Sequence, residues 1–230
     1  MNHAKLFIGR FINSEEYIKD KINSIKALVF DWDGVFTNAH KNINLESTYS
    51  ELDVFMLNLF KLQYFLKTKT ILPTVIITGS QNPTAIHFAK KNYFNAIYYR
   101  AINKRTAFNH CCSKLKLLKS DFAFFFDDIV DLSITNDCGL RFMIYHKAKA
   151  ILMNYIETNK LADYITKTES GNSAVREVLE MLIYMTNSLE LTIKHRVNFS
   201  ESYTEFINEY RKIDTQIFTL NPENTNVIAG

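Results

Sequence analysis

Asp31 and Asp33 stand two residues apart, directly after the apolar run Ala27 to Phe30 and just before Gly34. A buried strand accounts for the run but not for two like charges crowded at its mouth, which need a cation to hold them there. Three more sets of reactive types follow similar runs. Thr78-Gly79-Ser80 closes TVIIT, Lys104 opens a periodic segment after NAIYY, and Asp127, Asp128 and Asp131 follow DFAFFF. Phosphoryl transfer is the chemistry that wants this set. A carboxylate can attack phosphorus and form an aspartyl-phosphate, but the substrate is anionic, so positive charge must be brought in. Mg²⁺ and Lys104 would supply it. Mg²⁺ prefers hard oxygen ligands and keeps several waters, so Asp31, Asp127 and one backbone carbonyl suffice as protein ligands. Asp33 is placed to act as acid and then as base, while Thr78 and the amides around Asp33 and Gly34 can hold the equatorial oxygens.

Such residues meet only if the elements before them converge. The near-continuous apolar runs 27–31, 74–78, 95–99, 121–126 and 141–145 are what strands buried on both faces require. Helical periodicity falls between them, at about 51–68, 83–92, 104–118, 129–137, 148–158 and 173–187. Alternating strand and helix predicts an α/β fold: a Rossmann-like parallel sheet with helices on both faces. Ligands bind such sheets outside the carboxyl ends of the strands, where all four sets sit. Residues 35–50 fit neither pattern and read as a β-hairpin excursion, a candidate flap. The end segments carry short amphipathic patterns, SEEYIKDKI and ESYTEFINEYRKI, and the chain closes on the polar stretch NPENTNVIAG.

Composition narrows the function classes. A 230-residue chain that is 47% hydrophobic and 22% charged suits one globular core with appendages. Its net charge of +3 is too slight and dispersed to indicate nucleic acid or an anionic membrane as partner. No apolar run approaches the roughly 18 residues of a membrane helix, and the N-terminal stretch lacks a signal-peptide core. Three cysteines with no CxxC spacing suit a reducing compartment, and the expected setting is cytoplasmic. His110-Cys111-Cys112 has the types of a metal fragment but lacks a second ligand pair, and its helical periodicity reads as packing.

"DWDGVFT" resembles the first motif of the haloacid-dehalogenase superfamily of phosphatases, "VIITGS" its second, Lys104 its third and "FFFDDIVDL" its acidic fourth. Through "ADYITKTESGNSAVREVLEMLI" the spacing is similar to the capless branch that contains 3-deoxy-D-manno-octulosonate (KDO) 8-phosphate phosphatases and related nonulosonate 9-phosphate phosphatases. The resemblance implies Asp31 as nucleophile, Asp33 as acid/base, and Thr78 and Lys104 as phosphoryl binders, with Gly34, Gly79 and Ser80 lining the substrate. It implies Asp31, the Asp33 carbonyl and Asp127 as Mg²⁺ ligands, supported by Asp128 and Asp131. It also implies a phosphoric monoester hydrolase acting on a sugar phosphate such as an eight- or nine-carbon sugar acid phosphate, no cap domain, and a homotetramer whose flap helps build the oligomer. The core would be residues 25–187, with an N-terminal extension 1–24 and a C-terminal helical extension and tail 188–230.

Four positions depart from the pattern. Ser80 stands where the family commonly has Arg, Arg100 and Phe126 where it often has Gly, and Asp53-Val54 where it has Asp-Gly. Losing Arg at position 80 removes a bidentate anion binder. Each motif has a plainer reading as helix cap, turn, strand exit or surface charge; their coincidence at strand ends favours a site. Arg176 and Glu177 are ordinary helix residues by pattern, and 18 Phe and 12 Tyr read as core and interface. Two rivals differ in class. A receiver domain carries its acidic pair after the first strand and its phosphoacceptor later, the reverse of the order here. A catalytically silent oligomeric scaffold would keep the fold without the reaction.

Overall fold

A computed structural model describes residues 6–230 of the chain; residues 1–5 of the expected N-terminal extension lie outside the described residues. Five strands follow the apolar runs: β2 (Ala27–Phe30), β3 (Thr74–Ile77), β4 (Ala96–Tyr99), β5 (Phe122–Phe126) and β6 (Leu140–Tyr145). Four more join them: β1 (Arg10–Phe11), β7 (Tyr164–Glu169), β8 (Gln216–Leu220) and β9 (Val227–Ala229). The sheet runs β1-β7-β6-β5-β2-β3-β4-β8-β9. Every internal pair is parallel; only the edge pairs β1·β7 and β8·β9 are antiparallel.

The connections leave β2 for β3 and β4 on one side and resume at β5, β6 and β7 on the other. This reversal opens a crevice outside the carboxyl ends of β2, β3 and β5. Alternation across the sheet feeds two cores. Leu28, Phe30, Ile76 and Phe125 face α1 (Glu15–Ile22), α2 (Glu51–Thr68), α3 (Pro83–Lys91) and α7 (Ala174–Met185). Val29, Val75, Phe122, Phe124 and Phe126 face α4 (Lys104–Leu115), the single turn α5 (Leu132–Thr135) and α6 (Ala150–Thr158). The fold is thus the expected HAD-like layering, with no cap domain among the described residues. No helix among them is long and apolar enough to cross a membrane.

The excursion after β2 is present but forms no β-ladder. Asn side chains take its backbone instead: Asn38 Oδ1 accepts from His40 N at 3.1 Å, and Asn42 Oδ1 from Asn44 N at 2.9 Å and Glu46 N at 3.0 Å. Such local bonds compete with strand pairing. The flap is therefore a loop with an Asn-stabilised tip.

Strands from both end segments, β1 and β9, form the two edges of the same sheet. Beyond α7 come α8 (Leu189–Val197) and α9 (Glu201–Tyr210), then β8 beside β4. The polar stretch NPENTNVIAG, expected as a tail, is a turn and the edge strand β9. Asn221 Oδ1 accepts from Thr225 N at 2.9 Å and Asn226 N at 2.8 Å, which closes that turn.

Candidate active site

The four sequence motifs converge at the crevice. Asp31 follows β2, where its amide donates to Phe125 O at 2.9 Å and so ties the first motif to the fourth. Gly34 takes φ 88°, a left-handed conformation that favours glycine. A Cβ there would lie 2.0 Å from Asp127 Oδ2, so the residue's lack of side chain is what lets the first turn approach Asp127. Thr78 is buried, its amide donating to Tyr98 O at 2.8 Å and its carbonyl accepting from Ala101 N at 2.9 Å. Ser80 holds the next loop by accepting from Arg100 N at 3.1 Å, and a Cβ on Gly79 would meet nothing. Arg100 has φ 52°, which explains why glycine suits that position in the resembled pattern. Phe126 is buried and stacked on Phe124, filling the second core.

Lys104 is the first residue of α4, buried, and donates to Asp31 Oδ1 at 2.6 Å and Asp131 Oδ1 at 2.5 Å. The other Asp131 oxygen accepts from the amides of Asp127 (3.3 Å) and Asp128 (3.1 Å), so the carboxylate braces the fourth motif from within. Burial alone would lower the Lys104 amine, but Asp131 and Asp31 reverse this and hold it above its ordinary value. Burial also lifts Asp127 well above the usual carboxylate range, and the neighbouring Asp31 and Asp131 add to it. Asp131 is pushed up to about 6 by burial, with Lys104 opposing. Asp128 sits at the rim, where its Oδ1 accepts from Ile129 N at 2.7 Å; Lys149 and that amide pull it below its ordinary value against the effect of burial.

Three residues escaped the sequence reading. Lys149 contacts Asp127 Oδ2, lies 3.3 Å from the Asp127 carbonyl, and pairs with Asp128 Oδ2 at 2.9 Å. Lys41, from the flap, pairs with Asp33 Oδ2 at 2.7 Å. Buried Asn82 donates to both oxygens of Asp33 at 3.1 Å. Lys149 carried a usable signal, since it follows β6 within four residues and ligands gather at strand ends. Lys41 and Asn82 lie in irregular stretches whose path sequence pattern does not fix.

A cation fits the cluster. Asp31, Asp127 and Asp131 each offer an oxygen, all within 4.8 Å of one another. Asp127 Oδ1 is buried without a hydrogen-bond partner, the state of an oxygen left for a ligand. Five carboxylates (Asp31, Asp33, Asp127, Asp128, Asp131) meet three ammoniums (Lys41, Lys104, Lys149), so two negative charges stay unbalanced when all are ionised. A divalent cation restores neutrality, and an all-oxygen donor set suits Mg²⁺. The thiols do not join it: Cys111 and Cys112 are free and buried, and His110 Nδ1 pairs with Tyr98 Oη at 2.8 Å.

No protein-family model matches the chain. It is 24% identical over 171 residues to the KDO 8-phosphate phosphatase KdsC of Escherichia coli K12, covering 74% of this chain and 85% of that protein. Among solved structures, it superposes with a TM-score of 0.66 on a Legionella pneumophila protein described as a HAD superfamily (subfamily III A) hydrolase, 24% identical, over 80% of this chain and 95% of the other. A KDO 8-phosphate phosphatase from Moraxella catarrhalis, solved with a magnesium ion, a phosphate ion and KDO, gives 0.63 at 25% identity over 80% and 98%. The chain is thus similar to these phosphatases in sequence and in fold.

Proposed function

We propose that this chain, similar in sequence and fold to KDO 8-phosphate phosphatases, is a Mg²⁺-dependent phosphomonoesterase. The observation that carries the reading is the cluster of Asp31, Asp127 and Asp131 around Lys104, in a site with five carboxylates and three ammoniums, with Asp127 Oδ1 buried and unpartnered. Asp31, Asp127 and the Asp33 carbonyl would hold the ion, with Asp128 and Asp131 supporting. When bound, Mg²⁺ would neutralise charge on the phosphoryl oxygens.

The chain's own groups account for the rest. Asp31 attacks phosphorus, the ester P–O bond breaks, and an aspartyl-phosphate forms. Asp33, oriented by Asn82, gives a proton to the departing alkoxide, then takes one from the water that hydrolyses the intermediate. Lys104 and Thr78 bind the phosphoryl oxygens, and Gly34, Gly79 and Ser80 line the opening. The Lys104 position is set by Asp131, which also keeps its charge.

The relatives' substrate points to a sugar phosphate such as an eight- or nine-carbon sugar acid phosphate, in a cytoplasmic setting. Residues 25–187 carry the chemistry in this reading, flanked by the extensions 1–24 and 188–230. A homo-oligomer, a tetramer by resemblance, would cover Ile43 at the flap tip, 97% exposed, and Leu52 and Phe55 on α2. The test is phosphate release from a panel of eight- and nine-carbon sugar acid phosphates and ordinary hexose and pentose phosphates. Release is expected from the acids, with Mg²⁺ and not with EDTA. Metal-independent release, or none from any ester, would overturn the reading, the latter in favour of a silent scaffold.

A further inference from the structure

Lys149 lies where a divalent ion would draw its charge. It stands on the 3₁₀ turn Lys147–Lys149 after β6, outside the four motifs, with a side chain 20% exposed. Its ammonium touches three oxygens of the fourth motif: Asp127 Oδ2, the Asp127 carbonyl and Asp128 Oδ2. Asp127 Oδ1 has no partner, so the ammonium serves one oxygen of that carboxylate and leaves the other bare. Lys104, by contrast, is shared between Asp31 and Asp131.

We infer that Lys149 is an intramolecular competitor for Asp127 that sets the affinity of the site for Mg²⁺. This rests on the metal-site reading above. An ammonium and a divalent cation on one carboxylate repel each other, and the weak screening of a half-buried site keeps that repulsion strong. An ion bound at Asp127 Oδ1 therefore weakens the Lys149 contact with Oδ2, and that contact weakens ion binding in turn. The partly exposed Asp128, already its partner at 2.9 Å, gives it a place to stay at the rim. Without the ion, the same ammonium keeps the buried Asp127 charge from standing alone. One side chain thus stabilises the empty site and weakens the filled one.

The test is titration calorimetry with Mg²⁺ alone on wild type, Lys149→Met, Lys149→Gln, Lys41→Met and Asp127→Asn. Lys41→Met controls for net charge, because it removes an ammonium from the same rim that pairs with Asp33 and not Asp127. Both Lys149 variants are expected to bind Mg²⁺ about tenfold more tightly, equal to about 1.4 kcal/mol, while Lys41→Met changes the constant far less. Thermal melting gives a second readout: the Lys149 variants should melt below wild type in EDTA and recover or exceed it in saturating Mg²⁺. Unchanged or weaker binding in folded Lys149 variants, or equal tightening in Lys41→Met, would overturn the inference. If Asp127→Asn binds Mg²⁺ as wild type does, the metal site itself is misassigned, which is a separate failure.

Discussion

Lys61 and Lys104 are both buried lysines, yet their surroundings ask opposite things of the amine. Lys104, at the crevice, has carboxylates at 2.6 and 2.5 Å and is held above its ordinary pKa. Lys61, in the middle of α2, has the rings of Phe94 and Tyr210 at 4.8 Å and the Asn92 carbonyl at 3.5 Å. Among the described residues no carboxylate pairs with it, and burial drives it down to about 7. Ring faces offer a cation part of what water gave it, but not a full counter-charge. A buried amine with counter-charges is a functional device, whereas one without them is a stability cost. Tyr210 of α9 supplies one of the rings that close over Lys61, so this helix helps to bury the amine.

The sharpest break of the crevice side is Asp31→Asn. It keeps the shape and a Lys104 acceptor but removes the proposed nucleophile, so phosphate release should fall about 10⁴-fold or more while the melting curve stays cooperative. Near-normal turnover would remove Asp31 from the mechanism. Lys104→Met leaves Asp31 and Asp131 buried and unneutralised. Turnover should drop about 10²- to 10³-fold, the scale of a lost electrostatic stabiliser, and denaturant unfolding should show a loss of about 3–5 kcal/mol.

The same substitution at the other lysine should act in the opposite direction. Lys61→Met should raise stability by about 1–3 kcal/mol at neutral pH, because a methionine fills the space without a charge to desolvate. The pH dependence follows from the two pKa values. Folded Lys61 titrates near 7 and the ordinary value is 10.5. Between them the unfolded chain binds more protons, so this residue makes stability rise with pH through that window, with its full cost present below it. The stability difference between Lys61→Met and wild type should therefore shrink from pH 7 toward 10.5; a constant difference would show that Lys61 keeps its ordinary, solvated titration in the folded state. The smallest effect belongs to Tyr210→Phe. It keeps the ring over Lys61 but removes the hydroxyl that reaches Asn92 O at 2.6 Å and Asn58 Oδ1 at 2.8 Å, and should cost about 1 kcal/mol in a denaturation series.

The central strands and the four strand-end motifs are legible because their signals are local. A run such as FAFFF admits little but a buried strand, and helix α2 spans 51–68 as its periodicity predicts, capped by Ser50 and ended at left-handed Lys69. β7 was not legible: YITKTE mixes apolar and polar residues near a sheet edge. β8 and β9 were hidden for another reason. A short strand beside a polar turn gains its stability from pairing with β4, which no local pattern records. The flap differs in the opposite sense, since Asn side chains satisfy backbone amides that a hairpin would pair across strands.

Sequence by itself determined which groups stand at the carboxyl ends of β2 to β5, because strand runs and turn chemistry act over a few residues and the parallel topology orders their ends. Only the tertiary structure decided how those groups share charge. Lys41, Asn82 and Lys149 reach Asp33 and Asp127 across gaps of 8, 49 and 22 positions, and such pairings depend on where distant loops come to rest. The contrast between Lys61 and Lys104 has the same origin, since each side chain meets its counter-charge, or lacks one, only once the chain has closed around it.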